Sequence, residues 1–188
     1  MVDRLAIKEW SKLKYQDPKI VLLKLKELEI IASNYQIDMK VRNFRTNSLK
    51  CYREGREAAI FCYGMGKTVV HTPVYFAIVE NADYDCVTRC KYGFTPVQIK
   101  ELVPEYLNPT KDLNQIIAEL KKYPVSHNTV IAIHVNRQVR LEFDKIEIPD
   151  LNVAEVWLFG GTSPDRLQWF LYGDLCSNPQ LYSFEYPN

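Results

Sequence analysis

The sequence lacks any run of the roughly 18 apolar residues that a helix needs to span a bilayer. Met1 to Tyr15 alternate charged and apolar groups and contain no apolar leader segment, so no secretory signal and no membrane partner are expected. Glycine is scarce, 7 in 188 residues, and no short period or biased tract recurs, which argues against fibrous, linker-like and repeat architectures. Histidine is scarcer still: His71, His127 and His134 are the three in the chain, and no pair has the spacing of a helical metal motif. Five cysteines (Cys51, Cys62, Cys86, Cys90, Cys176) are an odd number, and reduced thiols in a cytoplasmic, reducing compartment are the expectation.

Neither sign of charge dominates, since the net charge is +1, but the distribution is uneven. Residues 1–56 hold 13 Lys and Arg against 7 Asp and Glu, and the rest of the chain holds 11 against 16. Such asymmetry marks either a polyanion-binding segment or two halves that neutralise each other on folding. With 47% hydrophobic residues, a chain of this length can bury one substantial core, so residues 1–188 are read as a single domain.

Hydrophobic periodicity divides that domain into five parts. Residues 1–35 read as helical: Asp3 caps a short amphipathic helix carrying Leu5, Trp10 and Leu13, and Asp17-Pro18 starts a second that runs to about Ser33. The second helix has a wide apolar arc including Ile20, Leu23, Ile30 and Ile31, which calls for burial on two sides. Residues 38–92 read as a β-meander of β-branched and aromatic runs (39–44, 49–52, 58–63, 68–79), with Gly64 and Gly66 in a hairpin turn and a break at Asn81 to Asp83. Residues 95–123 read as a helical insertion of two helices, opened by Thr95-Pro96 and by Thr110, the second ended by Pro124. Residues 129–174 return to strands (129–135, 139–148, 153–159, 167–172), and residues 175–188 form a C-terminal tail. The absence of regular βαβ alternation predicts an α+β fold: a mostly antiparallel sheet of about seven to nine strands, two N-terminal helices and a two-helix insertion.

Familiar catalytic signatures fail at identifiable positions. Gly64-Met65-Gly66-Lys67-Thr68 imitates a phosphate-cradling loop, but Phe61 stands where its first glycine belongs. His127-Asn128-Thr129-Val130 has the form used by two-histidine phosphoesterases, in which imidazoles act as acid and base, yet its partner His71-Thr72-Pro73 has proline in place of the hydroxyl. Cys62 with His71 would make a nucleophile and base only if folding brought them together. Cys86 and Cys90 share a strand face but form no second pair for zinc. A nuclease-like centre needs an acidic residue and, one strand later, an acid two residues before a lysine, so that carboxylates hold a metal and lysine steadies the charge at phosphorus. Asp150 and Glu155 imitate it, but Trp157 occupies the lysine position. No catalytic residue, metal site or cofactor is assigned.

Two surfaces remain. Lys40, Arg42, Arg45, Lys50, Arg53 and Arg56 interleave with Phe44 and Tyr52, the mixture by which a sheet offers cations to phosphates and rings to bases. The Ile20–Ile31 helix and the aromatics Trp157, Trp169, Phe170 and Tyr172 are of the kind that anchors protein interfaces. The leading expectation is therefore a non-catalytic interaction protein that self-associates or docks a protein partner. Nucleic-acid binding through residues 40–56 is the alternative, and a small hydrolase using His71 and His127 the third.

Overall fold

The computed structural model describes residues 4–35, 37–42, 44–79, 83–122 and 126–188, the side chains of Met39, Arg42 and His127 excepted. The expected caps at Asp3 and helix end at Pro124, and most of the break at 81–83, lie outside those residues. The chain folds as α+β around a seven-stranded, mostly antiparallel sheet, within the expected strand count.

Helix α1 (Arg4–Trp10) is followed by α2 (Pro18–Ser33), which starts where the sequence predicts. Asp17 Oδ1 accepts from the amides of Lys19 (2.8 Å) and Ile20 (3.4 Å), and Pro18 fills the first helical position, which needs no amide proton. The wide apolar arc is buried on one side only: Leu22 and Leu25 enter the core, while Ile20, Leu28, Ile30 and Ile31 are each more than half exposed. One turn of helix, α3 (Met39–Arg42), leads to the nineteen-residue α4 (Lys50–Thr68).

Helix α4 overturns the first part of the β-meander expected over 38–92, whose later runs do form the antiparallel strands at 75–78 and 86–90. The buried run Glu57 to Cys62 is apolar on almost every side because the helix lies between α2 and the sheet. A short run buried all round carries no period, so it reads equally as a strand. Gly64, expected in a hairpin, is a close-approach residue inside this helix: a Cβ there would come within 2.6 Å of the Phe184 ring and 2.8 Å of Leu171.

The sheet runs in chain order through β1 (Tyr75–Ile78), β2 (Cys86–Cys90), β3 (Gly93–Leu102), β4 (Ser126–Val135), β5 (Val153–Gly161), β6 (Gln168–Gly173) and β7 (Gln180–Glu185). Neighbours are antiparallel at both ends, whereas β3, β4 and β5 are parallel in the centre. Parallel neighbours need crossovers, one supplied by α5 (Leu113–Glu119) and the other by residues 136–152.

Four further expectations are corrected. The helix expected from Thr95-Pro96 is strand β3, and Pro96 is tolerated because its only ladder partner is Val87 on β2; pairing with β4 begins at Val97. The strand expected at Val139 to Ile148 is an irregular crossover with a 3-10 turn at Phe143–Lys145, and its Leu141, Ile146 and Ile148 pack on the second core instead of alternating across a sheet. The expected tail at 175–188 contains edge strand β7, which pairs with β6 and carries the sheet past Tyr172. Helix α5 starts at Asp112 instead of Thr110, through a reciprocal cap with Gln115.

Two cores line the two faces of the sheet. Residues Val97, Ile99, Val130, Ala132, Trp157 and Phe159 pack toward α4 and α2. Leu102, Ile131, Ile133, Val156 and Leu158 pack toward α5 and the 136–152 crossover. Among the described residues no helix is long and apolar enough to cross a membrane.

Candidate functional site

Strand alternation decides which side chains of β3 go where. Because Val97 and Ile99 face α4, Glu101 follows them to that face, at the carboxyl end of the strand and in register with His134 of β4. Helix α4 brings Glu57 down onto the same spot. Its Oε1 lies 3.1 Å from His134 Nδ1, and both residues are at least nine-tenths buried. The imidazole stacks on Phe159, centroids 4.9 Å apart and planes 11° from parallel, which fixes its plane.

Glu101 is held by Arg45, whose Nη1 donates to Oε2 at 2.8 Å and whose Nη2 donates to Oε1, and by Asn136 Nδ2 at 2.8 Å. Burial alone would raise the Glu101 pKa, but these donors and the neighbouring His134 and Arg45 charges hold it below the ordinary carboxylate value.

Above this floor opens a cavity of about 910 Å³, reached by Arg45, Arg53, Arg56, Arg137 and Arg166 against, among the described residues, Glu57 and Glu105 alone, with Phe44, Tyr106 and Trp169 among its rings. Arg137 spends its donors on the carbonyls of Val103, Asn108 and Lys111 and so pins the loop that forms one wall. Arg56 reaches Glu29 at 2.9 Å, but its buried Nε and that of Arg45 have no acceptor. Arg53 and Arg166 have no carboxylate partner among the described residues. At the rim, partial desolvation and the charges of Arg56 and Arg45 pull the Arg166 guanidinium below its ordinary pKa, Glu29 opposing. Phe44 and Arg166 both line the cavity with positive φ, 54° and 57°, a conformation that costs free energy outside glycine and persists where surrounding structure imposes it.

The opposite face of β3 carries Gln98 and Lys100. The Asp85 side chain, just before β2, closes the ladder in place of a carbonyl: its Oδ2 accepts from the Ile99 amide at 2.7 Å and contacts Gln98 Nε2. Burial raises the Asp85 pKa above its ordinary value, with Glu54 adding to the rise and the Ile99 amide, Lys100 and Lys50 opposing it. The first two turns of α4 therefore reach both clusters, Glu57 bonding His134 while Glu54 and Lys50 sit in the field of Asp85.

The residues expected to bind nucleic acid divide among several places. Phe44, Arg45, Arg53 and Arg56 converge in the cavity, on α4 and the turn before it instead of on a strand face. Tyr52 stacks on Phe44 at 6.3 Å, Lys50 pairs with Glu54, and Lys40 is exposed on α3; the Arg42 side chain lies outside the described residues. Of the expected interface residues, Trp157, Trp169 and Phe170 are core and Tyr172 is half-buried, leaving Ile20, Ile30 and Ile31 at the surface and Leu23 partly buried.

His71 is exposed in the turn after α4, whereas Cys62 is fully buried and its thiol is pushed far up, so no thiolate is populated there. The His127 side chain lies outside the described residues. Glu57, Glu101, Asp85 and Arg166 are not among the residues singled out from sequence, and His134 stands there only as one of three histidines without metal-motif spacing. The usable signal was Asp85 followed by Gln98-Ile99-Lys100, which is the nuclease-like spacing with an amide in place of the second acid. Comparison with known proteins finds no family model, no curated protein and no solved structure that this chain matches.

Proposed function

We propose that the protein binds nucleic acid in the arginine cavity at the carboxyl end of its central strands and, with the help of a divalent cation, hydrolyses phosphodiester bonds at the Asp85 cluster on the other face of β3. The observation that carries the reading is the contact of Asp85 with Gln98 across β2 and β3, with Lys100 two residues further along the same face. The Gln98 amide turns its nitrogen toward Asp85 in this structure; with that amide flipped, its oxygen and the Asp85 carboxylate would supply hard ligands for Mg²⁺, which binds through few protein groups and keeps several waters. A water attacks phosphorus, the bridging oxygen leaves with its bonding pair and takes up a proton, and the products are a phosphomonoester and a free hydroxyl. Lys100 offsets the charge that grows on the phosphoryl oxygens.

The cavity arginines serve binding. Guanidiniums without carboxylate partners suit phosphate oxygens, and Phe44 and Trp169 offer faces on which bases stack. The test is incubation of the purified protein with end-labelled single- and double-stranded DNA and RNA in Mg²⁺ or Mn²⁺. Cleavage by the wild type, lost in Asp85→Asn and Lys100→Met with binding retained, is the expected result. No product on any of these substrates, or undiminished cleavage by Asp85→Asn, would sink the activity.

A second reading, self-association or docking of a protein partner through α2, is supported by the exposure of Ile20, Leu28, Ile30 and Ile31, all above half. Sedimentation at high protein concentration tests it: a strict monomer with no loss of the patch's exposure to solvent probes argues against it.

A further inference from the structure

We infer that Glu57, Glu101 and His134 form a second cation site, distinct from the Asp85 cluster, that takes a transition-metal divalent ion such as Mn²⁺ or Zn²⁺. One carboxylate oxygen from each glutamate and one imidazole nitrogen lie within 4.8 Å of one another. Two ligands on one such ion sit at most about 4.4 Å apart at ordinary bond lengths, so small side-chain rotations close the set. The mixed imidazole and carboxylate donors favour Mn²⁺ or Zn²⁺ over Ca²⁺, which takes oxygen ligands.

Two features of the surroundings point to a ligand. Glu57 and His134 are each at least nine-tenths buried, yet both line the arginine cavity, so an ion has an entry path to groups that water scarcely reaches. Arg45 meanwhile holds Glu101 with both Nη atoms and leaves its own buried Nε without an acceptor, so it stands in the position of a cation without being fully satisfied there. Rotation of Arg45 out of the site would free its guanidinium toward the cavity that it already lines. Arg45 is thus a competitor for the ion as well as a partner of Glu101.

The cation site does not depend on the phosphodiester reading and stands even if no nucleic acid is cut. Its test uses metal-stripped full-length protein titrated with Mn²⁺ alone, free Mn²⁺ being followed by electron paramagnetic resonance. The wild type is expected to show a site that weakens about tenfold or more in His134→Gln and Glu57→Gln, persists in Asp85→Asn, and tightens in Arg45→Met. A merely structural Glu57–His134 contact predicts no tightening on removal of Arg45. Identical Mn²⁺ binding in the wild type and His134→Gln, or unchanged or weaker binding in Arg45→Met, overturns the proposal. If circular dichroism shows that His134→Gln or Glu57→Gln does not fold, Arg45→Met decides alone. Loss of Mn²⁺ binding in Asp85→Asn with retention in His134→Gln would assign the ion to the other cluster and likewise overturn it.

Discussion

Helix α4 has two halves that do different work. From Ala58 to Cys62 every residue is at most 3% exposed, Phe61 meets Phe159 with ring centroids 5.7 Å apart, and Gly64 admits the Phe184 ring where any side chain would collide. From Lys50 to Glu57 the same helix carries Arg53, Glu54, Arg56 and Glu57, which face the cavity or the field of Asp85. One half is closely packed, and the other leaves the buried Arg56 Nε without an acceptor. Packing and unpaired charge are thus separated along a single element, and it is at the poorly satisfied end that the proposed ligand would meet the chain.

That comparison breaks most visibly at the buried half. Phe61→Ala removes a ring from between the helix and β5 and is expected to lower stability by about 3–5 kcal/mol in urea unfolding, because such sites collapse only partly. Equal loss from Arg53→Ala would show that the charged half is structural too.

Asp85→Asn is expected to lower cleavage about 10²- to 10³-fold, some 3–4 kcal/mol of barrier, with melting changed by no more than a few degrees. A variant that loses stability and activity in proportion would instead make Asp85 a ladder-closing residue only.

The acid limb of stability sharpens the contrast between the two carboxylates. Glu101 has a folded pKa below its unfolded one, so its contribution is present above the unfolded value and is lost as pH falls through the folded value. Asp85 has a raised folded pKa, so its contribution is greatest at low pH, where it is protonated, and is lost as pH rises from the unfolded through the folded value. Unfolding followed from pH 6 downward should therefore show a shallower acid loss in Glu101→Gln and a steeper one in Asp85→Asn.

The smallest effect on folding belongs to the rim. Arg166→Ser is expected to move stability by less than about 0.5 kcal/mol while weakening binding to DNA severalfold and reducing its salt dependence by about one unit of log–log slope.

The parts of this arrangement that the sequence made legible are the ones with local causes. Asp17-Pro18 announces α2 because capping is a matter of three residues, and the apolar runs near 129–135, 153–159 and 167–172 appear as β4, β5 and β6. Helix α4 was hidden because its central turn is buried all round, which erases the 3.6-residue period. Strand β3 was hidden behind Thr95-Pro96, a helix-start signal overridden by tertiary pairing that leaves the Pro96 nitrogen without a β4 partner. The basic residues Arg45, Arg53 and Arg56 were visible as a group, but the cavity also needs Arg166, more than a hundred residues away, and His134 on another strand. Only the sheet brings these together, and no local pattern could.

The most direct test of this division is DNA affinity measured by fluorescence anisotropy from 50 to 300 mM salt, comparing the wild type with an Arg53→Ser/Arg166→Ser double variant and with Lys19→Ser/Lys24→Ser on the outer helix. The account predicts that the cavity variant loses about two units of log–log slope while the α2 variant follows the wild type. Equal slopes for all three proteins, or a loss confined to the α2 variant, would contradict the claim that the charged end of α4 is where this protein meets its ligand.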